Sequence, residues 1–163
     1  MVATVQIGEK NTAGGTFTDK TSGTIRMKTA DNATVDLNNP INVPSSGTNY
    51  SFEKWLRLKC TVAPSQQITN AKFYTDGANG FGTGIGLFAK AVTTFATPAL
   101  GTATTGYTNA FSYTSGSSLA LNAGTVTATG EFGDHTVLLM TVDNTATQGL
   151  LTGETMTWSY DEI

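Results

Sequence analysis

A chain of 163 residues, 39% hydrophobic and 13% charged, holds enough apolar matter for one folded core and is no disordered tail. Its formal charge of −3 is laid out unevenly: all nine Lys and Arg fall within residues 1–90 beside six acids, and residues 91–163 hold six acids and no base. Nucleic acid is therefore excluded as an expected partner, since binding phosphates takes a concentrated basic patch.

Threonine, glycine and asparagine are abundant and strong helix formers scarce, a composition suited to pleated strands and tight turns. In chain order, Ala3, Val5 and Ile7 alternate in ATVQIG, and residues 1–20 read as a first strand or an N-terminal arm. Ile25 and Met27 alternate with Thr24, Arg26 and Lys28, which predicts a second strand. The stretch DNATVDLNNPINVPSSGTNY is loop-rich. Then SFEKWLRLKCTV places Phe52, Lys54, Leu56, Leu58, Cys60 and Val62 on one face, with Glu53, Trp55, Arg57 and Lys59 on the other. That assigns the large Trp55 indole to the side facing water. ITNAKFYTDG and GTGIGLFAKAV are further strands, the second with glycines at every other position. Residues 93–118 form a long Thr-, Ala-, Gly- and Ser-rich connection with aromatic islands. HTVLLMTV is apolar on both faces, as a central strand covered on each side would be, and ETMTWSYDEI closes the chain with Met156, Trp158 and Tyr160 on one face. The expected fold is all-β: a single domain over 1–163, a two-sheet β-sandwich of jelly-roll type with about eight strands, the alternative being a small closed barrel.

Chemistry-bearing residues are few. Cys60 is the one cysteine, so the chain can close no disulfide within itself, and its strand phase makes it a small core hydrophobe. His135 is the one histidine and lacks a second ligand or a nucleophile nearby, which predicts a structural role. HExxH, CxxC and GxSxG patterns are missing, and the glycines of GANGFGTGIGLF have neither dinucleotide nor P-loop spacing, so they read as a packing feature. Asp31, Asn32, Asp36, Asn38 and Asn39 lack the spacing of a calcium loop and read as turn residues. The expectation is a non-enzyme without cofactor or metal. No stretch reaches the roughly 18 apolar residues of a membrane helix, and MVATVQIGEK has no basic region followed by an apolar one, so no secretory leader is expected.

Several blocks are familiar as a set: YSFEKWLRLKCTVAPSQQITNAKFYTDG followed by GIGLFAKAV, the FATPA segment at 95–99, and FGDHTVLLMTVDNTATQGLLTGETMTWSYDEI. Together they resemble small virion structural proteins of tailed bacteriophages. The resemblance implies a non-enzymatic β-sandwich carried in many copies on the particle, assembled in the host cytoplasm. Its expected role is capsid decoration or cementing on the major capsid protein lattice, as a homo-oligomer for which a trimer fits. A tail-associated adhesin or glycan-binding module is the alternative.

Two readings of Trp55 follow. A second layer, either the N-terminal segment or the 93–118 connection, covers it within the chain; or Trp55, with Arg57 and Lys59 on its face, anchors a neighbouring subunit, as aromatics and Arg do at interfaces. Tyr107, Phe111 and Tyr113 form the second candidate surface, on a loop long enough to reach a partner.

Overall fold

Two sheets, of seven and three strands, organise the computed structural model, which describes residues 2–163. In chain order the strands are β1 (Thr4–Asn11), β2 (Thr16–Asp19), β3 (Thr48–Tyr50), β4 (Lys54–Val62), β5 (Ile68–Thr75), β6 (Ile85–Val92), β7 (Thr108–Asn109), β8 (Leu119–Ala120), β9 (Gly130–Asp143) and β10 (Met156–Glu162). The only helical turn among the described residues is a 3-10 turn at Ala110–Ser112, capped by the Asn109 side chain. The larger sheet runs β2-β1-β4-β9-β6-β7, with β3 pairing on the far end of β9; the smaller runs β10-β5-β8. The chain is thus an all-β sandwich, with ten strands rather than about eight.

β9 is the axis of the larger sheet because it can be buried on both sides. Leu138, Met140 and Val142 point into the inter-sheet core with Leu56, Leu58 and Cys60 of β4, Ile85 and Leu87 of β6, and Phe73 of β5. Each such side chain contributes on the order of 1.5–3 kcal/mol on leaving water. Val137 and Leu139 point to the outer face and are equally buried. A bare outer face would leave them in solvent; here the 93–107 stretch lies across it, close enough that a Cβ on Gly101 would come within 2.5 Å of Leu139.

Residues 4–19 are no arm. β1 pairs antiparallel with β4 from Thr4↔Val62 to Lys10↔Trp55 and turns into β2, placing the N-terminal segment inside the sheet. Gly8 has to be glycine, because Phe17 of β2 folds across it and a Cβ would fall 2.0 Å from the ring.

The strand expected at 24–28 does not form. Its alternation is real, since Ile25 and Met27 pack against the core, but its backbone makes a single cross-chain bond, from Phe52 N–H to Lys28 O at 2.9 Å. Residues 20–47 instead cross the inner face of the larger sheet as irregular chain, beside the smaller sheet. The alternate glycines resolve into distinct uses: Gly84 takes φ +76° where the backbone of Ala146 would lie 2.5 Å from a Cβ, while Gly82 has nothing near it.

Candidate functional site

Three places in this frame could act on something outside it: the outer face around Trp55, a buried polar cluster at one end of the inner face, and a groove between the sheets. No helix among the described residues is long and apolar enough to cross a membrane, and no three His, Cys, Asp or Glu side chains there converge as metal ligands.

The outer face explains Trp55. The indole is 3% exposed, covered edge-on by Phe95 (centroids 5.4 Å apart) and flanked by His135 at 5.5 Å. Its Nε1–H donates to Glu53 Oε2 at 2.9 Å. The 93–118 connection is therefore the layer over it, and Trp55 cannot anchor a neighbour. Arg57 remains partly exposed and spans a gap in the β4–β9 ladder. The register jumps from Leu56↔Thr136 to Leu58↔Phe132, and the Arg57 Nε–H donates to the Gly133 carbonyl so freed, at 3.1 Å. Lys59 lies over the Phe17 ring at 5.0 Å.

The three aromatics of the second candidate surface separate. Tyr107 stays at the rim of the outer face, its hydroxyl donating to Glu53 Oε1 at 2.5 Å and its ring under Lys90 Nζ at 4.0 Å. Burial, the largest cause, and the Glu53 carboxylate hold its phenol well above the usual range, so it remains protonated. Phe111 turns inward on the 3-10 turn and is buried against Phe81, and Tyr113 packs edge-on to Phe73 in the inter-sheet core. Phe111 is thus a core residue, and the six candidates do not form one surface.

His135 is fully buried between Trp55 and Phe95, with Nδ1 3.1 Å from Val92 O and Nε2 without a partner. Burial depresses its pKa; Arg57 and Lys10 push the same way, and the Val92 carbonyl and Glu131 oppose them. Below the unfolded value of about 6.5 the unfolded chain takes up a proton that the native ring refuses, so stability falls as pH drops. Between pH 8 and 7 stability should be flat. From about pH 6.5 to 5 it should decline by at most about 1.4 kcal/mol per unit. With one histidine in the chain, His135→Asn should flatten that decline, as urea titrations at each pH would read.

The polar cluster went unseen in the sequence. Glu9, fully buried on the inner face of β1, receives Lys54 Nζ at 2.8 Å and Asn11 Nδ2 at 3.2 Å on the same oxygen, Oε1, while Lys20 Nζ stands 3.9 Å from Oε2. Three lysine ammoniums then hold three successive backbone carbonyls of the crossing segment. Lys54 donates to Asn32 O (2.8 Å), Lys20 to Ala33 O (2.6 Å) and Lys28 to Thr34 O (2.9 Å). Asn11 of β1 donates to Asp31 at 2.8 Å, so one of the acids read as turn residues is a tie to the sheet, while Asp36 pairs with Lys28 at 3.2 Å within the crossing segment. The signal available was Lys54 on the apolar phase of its strand, with no apolar residue in its place.

The groove lies between the inner face of the larger sheet and β10. It has a volume of about 850 Å3, with a floor of Ile7, Ile85, Leu87, Met140, Met156 and Trp158. Two loops form its rim, and each carries a leucine left in solvent: Leu37 is 71% exposed and Leu150 72%. No protein-family profile, curated protein or solved structure matches the chain at a significant level.

Proposed function

We propose that this chain is a non-enzymatic structural protein of a bacteriophage virion that decorates and cements the capsid lattice. The observation that carries the reading is the pair of solvent-facing leucines, Leu37 and Leu150, both lining one groove with an apolar floor. Isolated exposed leucines are ordinary; two flanking one apolar cleft make a patch that a partner can cover. The sequence blocks resembling small virion proteins support the same reading.

Each copy would lay this rim on the major capsid protein or on another copy of itself, with trimers as one assembly that suits a threefold position. Repetition over a lattice makes individually modest contacts act together, and binding only the assembled shell lowers the free energy of that state. The tail-adhesin reading has weaker support, since Trp55 and Phe111 are enclosed and Tyr107 is covered by Lys90, leaving few free ring faces for a sugar.

Imaging purified particles by electron cryo-microscopy tests this. Copies arrayed across the capsid lattice, with Leu37 and Leu150 at a joint, are expected; a handful at the tail, or none, would overturn it. Replacing Leu37 or Leu150 by Asp should weaken capture by undecorated shells about tenfold or more, at ~1.4 kcal/mol per factor of ten.

A further inference from the structure

The polar cluster holds more than an ion pair. Glu9, Asn11 and Lys54 are all buried, on adjacent antiparallel strands and on one face of them. The β1–β4 register, which pairs Lys10 with Trp55, sets Asn11 opposite Lys54 at the next position. Both side chains meet the same oxygen, Glu9 Oε1: Lys54 Nζ at 2.8 Å and Asn11 Nδ2 at 3.2 Å. An amine, a carboxamide and a carboxylate are thereby gathered away from water. Two atoms of the group, Asn11 Oδ1 and Glu9 Oε2, have no hydrogen-bond partner. Buried polar atoms are seldom left so, and the Lys20 ammonium, 3.9 Å from Oε2, only partly compensates here.

We propose that Lys54 and Asn11 join through a spontaneous intramolecular isopeptide bond, with Glu9 as the proton carrier. The Lys54 ammonium passes one proton across the 2.8 Å contact to Glu9, leaving a neutral amine and a carboxylic acid. The amine lone pair attacks Asn11 Cγ and forms the new C–N bond. A second proton leaves Nζ as Glu9 delivers its own to Asn11 Nδ2. The Cγ–Nδ2 bond then breaks, and the nitrogen departs as ammonia, taking up the proton left on Glu9 to become ammonium. Glu9 returns to a carboxylate, and no oxidant or cofactor enters. Holding both reactants on one carboxylate oxygen supplies the rate, because a bimolecular aminolysis becomes intramolecular. Burial also removes the water that would compete for the carboxamide. The product is a neutral amide whose N–H still faces Glu9, and Lys20 Nζ, 3.9 Å from Oε2, is the cation left beside the carboxylate.

The bond would tie β1 to β4 beside the three carbonyls of Asn32, Ala33 and Thr34. Lys20 is a competing amine in the same cluster, but it lies 3.9 Å from the other oxygen of Glu9 and is engaged with Ala33 O.

Intact mass spectrometry of the natively folded chain is the test. The expected mass is one ammonia below that of the sequence, with tandem fragmentation of a digest giving a branched peptide that joins the Asn11 and Lys54 segments. Chain kept in denaturant from synthesis onward should show the full mass and lose ammonia only after refolding. Lys54→Arg, Asn11→Ala and Glu9→Gln should each retain the full mass, with circular dichroism reporting which of them fold. Full mass in aged, folded wild-type chain overturns the proposal whatever the variants do. So does a deficit that persists in Lys54→Arg without a branched peptide, which is the mark of an asparagine cyclising on its own backbone. A branch through Lys20 would overturn the assignment to Lys54.

Discussion

Lys54→Met should destabilise the chain by about 3–5 kcal/mol, the cost of stranding one member of a buried ion pair. The variant leaves the Glu9 carboxylate fully buried with Lys20 as its nearest cation, 3.9 Å away, and takes the donor from Asn32 O. A loss of that size approaches the total stability of many single domains. In urea it would move the unfolding midpoint by roughly 2 M, at about 2 kcal/mol per molar. The double variant Lys54→Met/Glu9→Leu should recover much of the loss, because apolar groups of similar volume can replace a buried pair at little cost. Both variants lack the Lys54 amine, so the difference between them isolates the stranded charge from any covalent contribution. Equal stability of the single and double variants would show that the carboxylate finds other compensation.

The second large effect is expected at Phe73. It is fully buried in β5, the middle strand of the smaller sheet, opposite Trp158 on one side and Leu119 on the other. Its ring lies 5.0 Å from that of Trp158 and 6.5 Å from that of Tyr113. Phe73→Ala should cost about 3–5 kcal/mol, the lost transfer free energy plus the cavity. The near-ultraviolet circular dichroism of Trp158 and Tyr113 should weaken with it. Thr61→Ala, at an exposed position of β4, should stay within about 0.5 kcal/mol and serves as the control.

Much of the frame was legible because it is written in period two. The apolar phase of Leu56, Leu58 and Cys60 and the two apolar faces of HTVLLMTV correctly placed β4 and the central β9. Alternation names the face a side chain takes but not what lies over that face. Trp55 is the clearest case: its phase assigned it to the outer side, and only the path of a connection without periodicity shows that Phe95 covers it. Phe111 fails in the same way, since its inward turn depends on the 3-10 turn that Asn109 caps. The crossing segment was illegible for a different reason. Its order comes from lysines binding carbonyls up to 22 residues distant, and such ties leave no local pattern. The groove between Leu37 and Leu150 likewise joins loops more than a hundred residues apart.

Sequestering lysines also changes what the molecule presents to its surroundings. Four of the nine bases, Lys10, Lys20, Lys28 and Lys54, are buried, against only two of the twelve acids, Glu9 and Asp134. The side chains that solvent meets are then five bases and ten acids, so acids dominate the surface more than the formal charge of −3 suggests. At close approach copies meet acid to acid, and salt relieves that repulsion as the screening length shortens. Charge complementarity then asks for a basic surface wherever many such copies sit side by side.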